Sequence, residues 1–99
     1  MIFATHRPRV LIVDDEPANL KVMREILGNQ YRLSFAKSGE AALTLLEKEL
    51  PKLILLDIMM PHMNGFEVCE HVKRNPKTAH IPIIFVTALG DESDEYKGF

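Results

Sequence analysis

Tryptophan is absent from this chain and there is one cysteine, so a fold stapled by an internal disulfide is excluded from the start. Cys69 falls in a helical pattern, where a packing role in a reduced compartment is the default, and the expected location is cytoplasmic. No run approaches the roughly 18 apolar residues that a membrane-spanning helix needs, and MIFATHRP carries no apolar core of signal-peptide length. Lys and Arg nowhere cluster and the formal net charge is −2, so neither nucleic acid nor an anionic membrane is an expected partner. His6, His62, His71 and His80 lack the spacing of metal ligands, and only His62 lies close to the stretch that matters most. At 99 residues the chain has room for a single small domain, assigned to residues 1–99.

What is present is a series of short apolar runs that break abruptly into acids. Arg9 to Val13 (RVLIV) reads as a buried strand and gives way at once to Asp14, Asp15, Glu16 and Pro17. Pro17 suits the first turn of a helix, whose apolar positions Leu20, Met23, Ile26 and Leu27 recur until Gly28-Asn29. Tyr31 to Ala36 alternates as an edge-type strand does, and Ser38 then offers an N-cap to an Ala/Leu-rich helix that Pro51 should stop. Leu53 to Leu56 is a second buried run, and Asp57 stands where it ends. Phe66, Cys69 and Val72 give an apolar face to a third helix, closed by Asn75-Pro76. Ile81 to Val86 (IPIIFV) is the fourth strand, followed by Thr87-Ala88, and Asp91 onward has the acidic start of another helix. The alternation β-α-β-α-β-α-β predicts an α/β fold with a parallel sheet and helices on both faces.

In such a sheet ligands bind outside the carboxyl ends of the strands, where the strand order reverses. If the first and third strands are neighbours, Asp14, Asp15 and Asp57 meet there. Two unit charges about 5 Å apart repel by ~3 kcal/mol at an effective dielectric of ~20, so the cluster calls for a proton or a cation. Mg²⁺ fits, because it prefers oxygen ligands, uses one or two carboxylates and adds phosphate oxygens to its shell. Asp57 is then the candidate nucleophile on phosphorus. Thr87 is the candidate hydroxyl for a phosphoryl oxygen, and the backbone N–H groups of Met59 and Ala88 are expected to complete the cradle.

VDDEP, LLDIMMPHMNG and FVTA together resemble the receiver domain of two-component response regulators, over a span from about Arg9 to the last residue. The resemblance implies a flavodoxin-like sheet of order 2-1-3-4-5 and phosphorylation of Asp57 by a sensor histidine kinase or a phosphotransfer protein. It also implies Mg²⁺ held by Asp14, Asp15, Asp57 and the Met59 carbonyl, with Thr87 as the switch hydroxyl. A receiver takes part in its own Mg²⁺-dependent phosphorylation and dephosphorylation without being an enzyme in the ordinary sense, and an output domain is the expected partner in a full-length protein. The family's fifth strand, which ends in Lys followed by Pro, and its fifth helix have no counterpart here, and Tyr96 matches neither that Lys nor the aromatic residue that the fifth strand of the family carries. The chain is therefore expected to stop inside a fourth helix, and IPIIFV to offer a bare edge through which it forms a homodimer or larger oligomer. A flavodoxin-type binder would need Ser, Thr and Gly after the first strand, and a haloacid-dehalogenase-type phosphatase would need an Asp where Met59 stands. The alternative that survives is a receiver-like interaction module that works without phosphorylation.

Overall fold

A computed structural model describes residues 7–86. Four parallel strands, β1 (Arg9–Val13), β2 (Arg32–Ala36), β3 (Leu53–Asp57) and β4 (Ile83–Val86), form one sheet in the order β2-β1-β3-β4. Three helices, α1 (Pro17–Leu27), α2 (Gly39–Leu46) and α3 (Gly65–Arg74), make the crossovers. The chain moves outward from β1 to β2 and then returns past β1 to β3. That reversal puts α1 on one face and α2 with α3 on the other, as right-handed crossovers require.

The two central strands are buried from their second residue to their last, which is why they read as unbroken apolar runs. Leu11, Val13, Ile54 and Leu56 point toward α2 and α3 and pack with Ala42, Leu46, Val68 and Val72. Val10, Ile12 and Leu55 point the other way, onto Leu20 of α1. The period of two along each strand thus feeds two separate cores. The sheet's far end is tied by polar contacts. Arg9 donates to Ser34 Oγ at 3.0 Å and pairs with Glu49 at 3.2 Å, and Lys73 donates to the carbonyls of Ala79 and Ile81 at 3.0 and 2.8 Å.

Several boundaries differ from the sequence reading. The N–H of Tyr31 donates to the Leu27 carbonyl and belongs to the exit from α1, so β2 starts one residue later. The Ala/Leu-rich helix stops at Leu46, well before Pro51, because Glu47 and Lys48 turn their N–H groups to carbonyls three residues back. Ile81 closes a turn onto Thr78 before β4 begins at Ile83, and Pro82 contributes only its carbonyl, to Ile54 N–H at 3.0 Å. On α3 the buried residues are Gly65, Val68 and Val72, three and then four residues apart, whereas Phe66 is exposed and Cys69 half-buried. Phe66 instead meets Phe85 of β4, with ring centroids 5.1 Å apart. No helix among the described residues is long and apolar enough to cross a membrane.

Candidate functional site

Parallel register brings the acids together. Val13 pairs with Leu56 across β1 and β3, so the next residue on each strand, Asp14 and Asp57, emerges side by side at the carboxyl edge. The Asp14 N–H donates to the Ala36 carbonyl at 3.0 Å, which extends the β1–β2 ladder one step and fixes the backbone beneath the side chain. Asp14 and Asp57 are both buried, Asp15 is half-buried, and one carboxylate oxygen from each lies within 4.8 Å of the other two. The expected convergence of the first and third strands on one acidic crevice is therefore present.

The three carboxylates are served unequally. Asp14 Oδ1 accepts the Glu16 N–H at 2.9 Å and its Oδ2 accepts the Asn19 side-chain amide at 3.1 Å. Asp57 Oδ1 accepts one N–H, from Met59, at 3.3 Å. Burial pushes the Asp57 carboxyl up from 3.8 to about 6; the charge of Asp14 adds to the rise, the Met59 N–H opposes it, Asp15 contributes a smaller push upward, and the Ile58 N–H a smaller one downward. Met59 itself is exposed at the lip, and its N–H donates to the Asp57 carboxylate at the place where a group bound to that carboxylate would lie.

The loop beyond Asp57 returns to the strand end at once. Gly65 donates its N–H to the Ile58 carbonyl at 2.9 Å, and a side chain at Gly65 would collide with the Asp57 carbonyl oxygen and stand 2.9 Å from Ile58 Cα. Glycine is required here by close approach of backbone to backbone. Between them His62 takes a left-handed conformation, φ 68°. Thr87 and Ala88 lie outside the described residues; the last described residue, Val86, pairs with Asp57.

The donor set suits a hard cation. An octahedral Mg²⁺ at about 2.0–2.1 Å from its ligands sets neighbouring oxygens about 2.9 Å apart, so three carboxylate oxygens within 4.8 Å of one another would have to draw together by up to about 2 Å to share its shell, with water able to stand in for any that does not. All the donors are oxygen, and to the rise that burial imposes on the Asp57 carboxyl the neighbouring charges of Asp14 and Asp15 add their own. Asn19 and Gly65 had no place in the sequence reading. The signal for Asn19 was its position at the third residue of a helix that opens just after the acid pair. For Gly65 it was the Asn-Gly step that closes LLDIMMPHMNG.

Comparison with known proteins agrees on a single family. The profile of the response regulator receiver domain matches residues 10–99. The chain is 47% identical over 90 residues to a Vibrio cholerae protein named "Probable cyclic di-GMP phosphodiesterase", covering 91% of this chain and 20% of that one. It is 42% identical over 91 residues to the response regulator PleD of Caulobacter vibrioides, with the same two coverages, 91% and 20%. The chain thus spans about a fifth of the length of these curated relatives. Among solved structures, the N-terminal domain of a response regulator receiver protein from Methanoculleus marisnigri superposes with a TM-score of 0.77 at 37% identity, over 91% of this chain and 76% of the other. The signal receiver domain of a histidine kinase from Syntrophus aciditrophicus gives a TM-score of 0.78 at 32% identity, over 92% and 70%.

Proposed function

The chain belongs to the response regulator receiver family, and from that membership we propose that Asp57 accepts a phosphoryl group from a sensor histidine kinase or a phosphotransfer protein in a Mg²⁺-dependent reaction. The observation that carries this reading is the meeting of Asp14, Asp15 and Asp57 at the carboxyl edge of two adjacent strands, with Asp57 the least hydrogen-bonded of the two buried members. A carboxyl with a pKa of about 6 is mostly ionised at pH 7, so its oxygen is available as a nucleophile. In the transfer, an Asp57 oxygen bonds to phosphorus while the phosphorus–nitrogen bond of the donor phosphohistidine breaks. The electron pair stays on the imidazole nitrogen, and the ring takes a proton from water.

Asp14, Asp15 and Asp57, with the Met59 carbonyl, are the residues proposed to hold Mg²⁺, which when bound supplies positive charge against the phosphoryl oxygens. The Thr87 hydroxyl and the Ala88 N–H are proposed as donors to those oxygens, and a linked output domain as the reader of the phosphorylated lip. Acetyl phosphate labelled at phosphorus tests the reading. With Mg²⁺ present the chain should take up label at Asp57, and Asp57→Asn, which has no nucleophilic oxygen of comparable strength, should take up none. Label that persists in Asp57→Asn would assign the acceptor elsewhere. A wild-type chain that takes no label, and whose amides near Asp57 stay unmoved by beryllofluoride with Mg²⁺, would be the phosphorylation-independent interaction module instead.

A further inference from the structure

Asp14 carries a charge in a buried setting, and a buried carboxylate keeps its place only if donors reach its oxygens. Both donors come from the start of α1. The Glu16 N–H holds Oδ1, and the Asn19 side chain, on the same first turn, reaches back to hold Oδ2. Asn19 is itself anchored, since its own N–H and that of Leu20 both donate to the Glu16 carbonyl, at 3.0 and 3.2 Å. A carboxylate accepts and cannot donate, so the chemistry dictates that the NH₂ end of the amide faces Asp14. Asp15, one residue on, receives no such hydrogen bond among the described residues.

We infer that Asn19 is a positioning residue for the cation site: it holds the Asp14 carboxylate in one rotamer and leaves on each oxygen a lone pair aimed into the crevice shared with Asp57. This rests on the Mg²⁺-dependent reading given above. Partners of this kind, which orient a ligand without touching the ion, typically change metal affinity about 10–100-fold when removed. Asparagine meets the need in a way its neighbours in size do not. Aspartate would bring a fourth carboxylate against Oδ2, and leucine would leave that oxygen without its donor. A purely structural role is the competing account, in which Asn19 does no more than secure the first turn of α1.

The discriminating experiment is calorimetric titration of the chain with Mg²⁺ alone, paired with thermal melts in EDTA. Asn19→Ala should weaken Mg²⁺ binding about 10–100-fold while melting within a few degrees of wild type when no cation is present. Unchanged Mg²⁺ affinity overturns the inference, and so does an alanine variant that no longer folds in EDTA, because Asn19 would then be needed for the helix start itself. In an Asp14→Asn background the same substitution should have little further effect, since the residue it acts through has already been altered. A loss of the same factor in both backgrounds overturns the inference too. Wild-type protein that fails to bind Mg²⁺ would instead remove the cation site, a failure distinct from that of Asn19 alone.

Discussion

The loops after β1 and β3 both carry a buried aspartate at the strand end and both lead into a helix, yet they solve the helix start in opposite ways. At α1 the N-cap residue, Glu16, makes no capping hydrogen bond with its side chain, and Asp14 takes over by accepting the Glu16 N–H. At α3 the helix caps itself: Asn64 accepts the Glu67 N–H at 2.9 Å and Glu67 accepts the Asn64 N–H at 2.9 Å. The first arrangement binds Asp14 into the scaffold. The second leaves Asp57 with one long hydrogen bond and a raised pKa. Two aspartates of similar burial therefore differ in availability because one of them is needed to begin a helix.

The largest expected break in this contrast comes from Gly65→Ala. The added methyl has backbone on its near side rather than a side chain that can swing away, so overpacking should destabilise the fold by about 2–3 kcal/mol and push the loop away from Asp57. Urea denaturation measures it. A change under about 0.5 kcal/mol would show that the β3 lip is looser than its close approach implies.

Next is the pH dependence of stability without divalent cation. A folded-state Asp57 pKa of about 6 against 3.8 means that the native state binds the extra proton between those values, so stability should rise as pH falls from about 7 toward 4. Below the unfolded value no further gain accrues, and above about 6 the burial penalty is present in full. With allowance for solvent at an open lip, the gain from this group is roughly 1–2 kcal/mol. The difference between wild type and Asp57→Asn isolates it from every other acid. A flat difference across that range would mean that burial leaves the Asp57 carboxyl unshifted. The smallest effect should come from His62→Gly, which relieves a left-handed residue and loosens the unfolded chain, for a net gain of about 0.5–1 kcal/mol in melting experiments.

How far the sequence carried the reading follows from what kind of contact each feature rests on. The two central strands and their acidic ends were legible because a parallel strand buried on both faces leaves an unbroken apolar run. The buried face of α3 was legible only at Val72, because Phe66 and Cys69 equal the two valines in number on the same short helix and compete with Val68. Phe66 satisfies itself partly on Phe85, a contact made across β4 that no helical period records. The early end of α2 was hidden because Pro51 gave a clear stop signal while Glu47 to Glu49 gave none. At the site, residue type and strand ends located all three acids, since register in a parallel sheet follows from order. The side-chain bond from Asn19 to Asp14 depends on rotamers and was beyond a linear reading.

The direction in which α1 and α3 enter the sheet's carboxyl edge carries a further electrostatic consequence. Each helix turns its amino end toward the acids: α1 through the Glu16 N–H on Asp14, and α3 through Gly65 packed on the Asp57 carbonyl. The aligned peptide dipoles of a helix place about half a positive elementary charge at that end. Two such ends offset part of the repulsion among the three carboxylates, so the scaffold itself carries some of the load that a bound cation would otherwise carry alone.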